Sequence, residues 1–210
     1  MNPSSRPLGI NLALKVLLVG LILFPLVAPD LPQFAGKAMG TRALTYPLAA
    51  LLLPSIWWFR GRPGPYPNLP DMLFVLPFVI DLGGNAANLY NTIDVFDDLC
   101  HFFNWALLVT AFGAIMVSLP IGRLNAFALT VGFGATSHIF WEISEFLLMK
   151  AGARGMQLTY DDTMGDFILS FGGTLVGAVV TMTWLWKRRD LAGRLFGSAG
   201  AGPSPARSDA

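Results

Sequence analysis

A single cysteine, Cys100, occurs in the chain, so no disulfide can form within it, and redox compartment is not readable from cysteine usage. Charge is scarce as well. Only 13% of the 210 residues are Asp, Glu, Lys or Arg, about half the usual share of a soluble domain. The net charge is +1 and no basic stripe is present, which excludes phosphate neutralisation and argues against nucleic acid as a partner. Histidine is limited to two positions, and neither a multi-cysteine zinc motif nor a paired HExxH occurs. No long internal repeat is visible.

Apolar side chains fill the space that charge leaves. Hydrophobic residues make up 54% of the chain and mean hydropathy is +0.56. Sixteen Phe, six Trp and 22 Gly fit a membrane protein, where Trp favours the interfaces and Gly lets helices approach closely. A bilayer core of ~30 Å takes about 20 apolar helical residues. By that rule six spans are predicted, at roughly 10–28, 43–59, 71–90, 99–119, 124–149 and 165–186. The first has a long apolar run and no small-x-small cleavage site after it, and reads as a retained helix rather than a signal peptide. Lys15 near its start is expected to snorkel toward headgroups. The segment GRPGPYPNLP (61–70) reads as a tight loop between spans two and three. The sequence therefore predicts an all-α polytopic membrane bundle forming one domain over residues 1–190. A Gly/Pro/Ser-rich tail over 191–210 is too poor in apolar residues to order.

Lys and Arg counts orient the spans. One side collects Arg6, Arg60, Arg62, Arg123, Lys187, Arg188, Arg189, Arg194 and Arg207; the other collects Lys37, Arg42, Lys150 and Arg154. Both termini are then expected in the cytoplasm. The loops after spans three and five fall outside, and these hold NTIDVFDDLCHFFN (91–104) and YDDTMGD (160–166). Polar residues recur at helical spacing: Asp81, Asn85 and Asn88; Asp97, His101 and Asn104; His138, Glu142 and Glu145; Asp162, Asp166 and Ser170. At 3.6 residues per turn each set lies along one helix face. Lipid cannot solvate such groups, so the four stripes are expected to face one another in a cavity open toward the outer leaflet.

Several carboxylates in one dry pocket raise each other's pKa, so a cation, shared protons or water must relieve them. Carboxylates with one or two imidazoles suit Zn, Mn or Fe, and oxygen-only sites suit Mg. The candidate metal ligands are Asp97, His101, His138, Glu142, Asp162 and Asp166, with Glu142 and Glu145 as candidate catalytic groups. Plainer roles compete. Asp94, Asp98 and Asp161 suit helix first turns, and Asp81 with Asn85 and Asn88 suits an interhelical hydrogen-bond network. His101 could anchor its helix start among aromatics, and Trp141 suits interfacial packing. Gly173 and Gly177 form a small-xxx-small pair for helix packing. Cys100 falls on another face from its neighbour's stripe and is left out of the site.

The runs FDDLCHFFNWALL, GFGATSHIFWEISEF and DDTMGDFILSFGGTLVGA resemble the YjdF-type bacterial inner-membrane proteins over roughly residues 70–186. The resemblance implies a small multi-span protein and no particular reaction. A looser likeness is to VanZ-like membrane proteins, a family linked to glycopeptide resistance. Asp97, His101, Glu142, Asp166 and Gly173 fall on that pattern, while Glu145 replaces its Gln and Ser170 its Asn. Three functions are then in play. One is a divalent-metal-dependent hydrolase or transferase acting on a lipid or lipid-linked substrate. The second is a non-enzymatic membrane protein that binds a ligand or partner. The third is a proton- or cation-coupled carrier, which the polar groups crowding one end disfavour.

Overall fold

The computed structural model describes residues 5–62, 64–153 and 158–188. The expected tail at 191–210 lies outside these residues, as do Arg154, Arg189, Arg194 and Arg207. Among the described residues the chain is helical and has no strand: α1 (Ser5–Val27), α2 (Met39–Phe59), α3 (Asn68–Ala86), a single turn α4 (Leu89–Thr92), α5 (Phe96–Val117), α6 (Arg123–Lys150) and α7 (Tyr160–Val180). The last continues as a π-helical turn over Thr181–Leu185. An all-α membrane bundle is what the sparse charge and long apolar runs predict.

Among the described residues, four helices are both long and apolar enough to cross a bilayer: Pro7–Val27, Asn68–Ala86, Phe96–Val117 and Tyr160–Leu185. The expected six therefore divide into these four and two of mixed character. Helix α2 carries Thr41, Arg42, Thr45 and Tyr46 near its start and prolines at 47 and 54. Helix α6 carries the 138–145 stripe. Polar side chains lower the apolarity of both, though their lengths suit a span.

Helix α5 is central and packs against α3, α6 and α7, while α1 and α2 pack on α3. Contact between α5 and α7 is the most extensive, and glycines set its closeness. A Cβ on Gly173 would stand 2.1 Å from the Phe102 carbonyl oxygen, and one on Gly177 would stand 2.7 Å from that of Ala106. The small-xxx-small pair is thus where two backbones touch. Two apolar clusters complete the interior. Leu18, Tyr46, Val75, Val79 and Leu82 join α1, α2 and α3; Ala114, Val117, Ala126, Met182 and Leu185 join α5, α6 and the end of α7. Large apolar side chains such as Val16, Leu44, Leu124 and Ile168 stay exposed, as expected where the solvent is lipid.

Lys15 does not snorkel outward. Its Nζ lies 2.7 Å from Oδ2 of Asp71, whose side chain is fully buried. Asn11 Nδ2 and the Tyr66 hydroxyl donate to the same oxygen at 2.8 and 2.5 Å. A buried carboxylate offers Lys15 a nearer partner than headgroup water. Burial, then the bond to Asp71, pushes the Tyr66 hydroxyl pKa far above its ordinary value.

Candidate metal centre

Helices α5 and α7 begin one turn earlier than the apolar runs, at Phe96 and Tyr160. Asp97, Asp98, Asp161 and Asp162 therefore occupy first turns, where the helix dipole favours acids. Thr159 is the residue that caps α7, its hydroxyl accepting from the Asp162 amide at 3.1 Å. Asp166 and Ser170 follow on the buried face of α7, opposite His101 and Asn104 of α5.

His101 Nδ1 lies 3.1 Å from Ser170 Oγ, and that hydroxyl donates to the His101 carbonyl at 3.4 Å. If the hydroxyl proton is so used, the serine oxygen accepts from a ring proton on Nδ1, the tautomer that leaves Nε2 free to bind a cation. Nε2 lies 3.5 Å from Asp166 Oδ1 and 3.9 Å from Asp97 Oδ1. Trp105 stacks on the His101 ring, at 8° and 5.7 Å between centroids. Its indole N–H donates to the Gly134 carbonyl and to Ser137 Oγ, both at 3.2 Å.

His138 comes from α6 and is gripped edge-on by Trp105 at 4.8 Å and Phe167 at 4.7 Å. Its Nε2 is 3.0 Å from Glu142 Oε1. That separation lacks hydrogen-bond alignment, and His138 Nε2 and both Glu142 oxygens have no hydrogen-bond partner among the described residues. The two residues are 3% and 6% exposed, so water does not readily satisfy them either. Donor atoms of His101, His138 and Glu142 lie within 4.8 Å of one another, and so do those of Asp97, His101 and Asp166. His101 is common to both triads. Two ligands on one ion at ~2.1 Å stand about 3.0–3.4 Å apart, which the His138–Glu142 pair satisfies.

Asp162 and Glu145 are near but in neither triad. Both line a polar mouth of about 150 Å³ with Lys37, Arg42, Asp97 and Asp166. Lys37 Nζ sits 5.5 Å over the Tyr90 ring. Burial lowers its pKa below the ordinary lysine value, with Asp97 opposing the shift. Glu145 also borders an inner cavity of about 240 Å³ beside His101, Asn104 and Trp105. Cys100, left out on helical phase, is buried and lines that cavity too.

The Asp81 stripe becomes a network with different members. Oδ2 accepts from Arg42 Nε at 3.0 Å and from the Tyr46 hydroxyl at 2.6 Å; Oδ1 accepts from the Tyr90 hydroxyl at 2.8 Å. Asn85 Nδ2 donates to the Asp81 carbonyl at 2.9 Å. Arg42 also donates through Nη1 to the Lys37 carbonyl. Asn88 leaves the stripe because α3 ends at Ala86 and Asn88 adopts φ +62°, a left-handed conformation that Asn tolerates. Burial, and then Asp81, drives the Tyr90 hydroxyl pKa far above its usual value. The Lys/Arg count places Arg42 in a loop, yet Arg42 and Tyr46 at i, i+4 form a polar stripe on α2. Asn11 and Lys15 form another, facing Asn68 and Asp71 at i, i+3.

Residues 10–190 match the family described as "Predicted membrane protein (DUF2238)". The chain belongs to that family. The match spans every long helix, from α1 to the end of α7. No curated protein and no solved structure matches the chain. Membership accords with a bundle that leaves many large apolar side chains exposed and buries His101, His138, Glu142 and Asp166. It accords equally with the YjdF-type resemblance and leaves the chemistry of the site to its geometry.

Proposed function

We propose that this member of the family is a divalent-metal-dependent membrane enzyme, a hydrolase or transferase acting on a lipid or lipid-linked substrate. One observation carries the reading. His138 Nε2 and both oxygens of Glu142 are buried without hydrogen-bond partners among the described residues, 3.0 Å apart at the closest, beside His101, whose Nδ1 faces Ser170 Oγ. Buried polar atoms left unpaired are costly, and a cation removes that cost for all of them at once.

A two-imidazole, one-carboxylate donor set suits Zn, with Mn and Fe as alternatives; Asp97 and Asp166 add the oxygen ligands that Mg or a widened coordination shell takes. Three protein ligands leave a position for water or substrate. A bound ion would lower the pKa of its water or polarise a phosphoryl oxygen. Glu145, one turn outward on the cavity wall, is placed to take a proton, and Asp162 guards the mouth. Depth favours a lipid: the site lies at the mouths of membrane helices, where headgroups reside. The VanZ-like likeness, a bacterial inner-membrane location, six spans and cytoplasmic termini belong to the same proposal, supported by the motifs and the Lys/Arg asymmetry.

The carrier reading gains one observation, the buried Asp71–Lys15–Asn11 cluster at the opposite ends of α1 and α3. It sits between α1 and α3, away from the α5–α7 triads, and so adds no continuation to them.

Protein purified in mild detergent without chelator, beside Glu142→Gln and His138→Ala, is to be assayed by elemental mass spectrometry. Near-stoichiometric Zn, Mn or Fe that falls in both variants is expected. Well-folded protein holding no ion, and taking none up, overturns the proposal.

A further inference from the structure

Helices α2 and α6 each pack firmly on other helices but barely on each other. Between them lies a cleft of about 590 Å³, within the range of small-ligand sites. Its walls are Phe78, Trp141, Leu147 and Leu148, with Thr45 and Ser144 along the edge. The two helices that border it also carry exposed apolar side chains, Leu44 and Leu48 on α2 and Phe140 and Ile143 on α6. The cleft shares Arg42, Tyr46, Phe78, Trp141 and Glu145 with the inner cavity that borders His101. That cavity continues downward to Leu108 and Phe133. From Asp97 to Leu108 is eleven residues of α5, about 16 Å, or roughly half the hydrocarbon core. The space therefore spans one leaflet, polar at its outer end and apolar at its floor.

We propose that one hydrocarbon chain of an amine-bearing, zwitterionic outer-leaflet glycerophospholipid enters sideways between α2 and α6, with its head in the polar mouth. This rests on the lipid-substrate reading and names the class and route of that substrate. The chain follows from the surroundings: an apolar opening in the side of a membrane bundle meets hydrocarbon, not water. The head follows from charge. The mouth holds two cations, Lys37 and Arg42, and six carboxyl side chains. Arg42 lines both the cleft and the mouth, so it stands where a phosphate arrives, with Lys37 farther into the mouth. Asp94, Asp98 and Asp162 complement the ammonium that a zwitterionic head extends beyond its phosphate. A purely anionic head has no such partner there and meets net negative charge.

The test uses full-length protein in nanodiscs with a trace of diazirine-tailed lipid, headed by either ethanolamine or glycerol, followed by illumination and peptide mass mapping. The ethanolamine lipid is expected to label the cleft residues of α2 and α6 about fivefold over the outward α1 residues Val16 and Val19, and about fivefold over the glycerol lipid. Ser144→Trp with Leu148→Trp fills the cleft from its edge and should reduce cleft labelling to the α1 level, with the melting temperature confirming a folded bundle. Equal labelling of cleft and α1, or labelling that the tryptophans do not change, overturns the lateral route. Equal labelling by both headgroups overturns the head assignment. An unlabelled cleft with a dimeric mass assigns it to a second copy of the chain and overturns the proposal. Cleft labelling in protein that binds no metal sustains this inference while the enzyme reading fails; bound metal with an unlabelled cleft does the reverse.

Discussion

In metal-free protein, Glu142→Leu is expected to stabilise the bundle, and metal is expected to shrink or cancel that advantage by stabilising only the wild type. Both effects come from the same two oxygens. Neither has a hydrogen-bond partner, and the residue is 6% exposed. A buried polar group left unpaired costs about 1–3 kcal/mol, so removing two relieves about 2–6 kcal/mol. For a chain of this size 1 kcal/mol moves the melting temperature by about 2–4 °C, so the variant in chelator should melt at least about 4 °C above chelated wild type. Metal works against that advantage. At a hundred times its Kd an ion adds about 2.7 kcal/mol to the wild type, about 5–10 °C, and nothing to a variant that has lost its ligand. Intrinsic fluorescence from six tryptophans follows unfolding in detergent without added dye. A variant that melts well below chelated wild type, together with no metal-induced shift in either protein, would refute the argument. Glu142 would then have a structural role that its surroundings do not reveal.

Ser170→Ala should weaken metal binding about 10- to 100-fold in a titration while leaving His101 in place, because the tautomer and ring orientation lose their support. Gly173→Ala should destabilise by more than the usual 1–3 kcal/mol of overpacking, since the added carbon meets a backbone carbonyl at 2.1 Å; chemical denaturation in detergent reads the loss. Arg42→Met alone should cost about 3–5 kcal/mol by leaving Asp81 uncompensated, and Asp81→Leu added to it should restore much of that, a coupling visible in a double-mutant cycle. A phosphatase fused to the C-terminus should be inactive and a fluorescent protein fused there bright; the opposite pair would invert the proposed topology.

Helical class and polar stripes were legible because each is a local property. A run such as VLLVGLILF has no other solution than a helix in lipid, and the 3.6-residue period places His138 and Glu142 on one face whatever surrounds them. The same period carried His101 to Asp97, and Asp166 to Ser170. It failed at Asn88, where the helix had already ended, and at Lys15, whose nearest carboxylate lies 56 residues along the chain and on another helix. Apolarity alone counts α2 and α6 with the other spans, and both exchange part of their apolar surface for polar groups.

Which stripe meets which was left to packing. Helices α5 and α7 approach closely because Gly173 and Gly177 meet the Phe102 and Ala106 carbonyls, and that approach brings Ser170 within 3.1 Å of His101. Sequence shows two histidines and several acids on separate helices; it does not say that His138 is clamped by Trp105 and Phe167, or that its Nε2 and Glu142 share no hydrogen bond. The cleft between α2 and α6 is likewise a product of what does not touch. Periodicity along one helix reports a face, and only the crossing of helices decides whether that face meets a ligand, a neighbour or lipid.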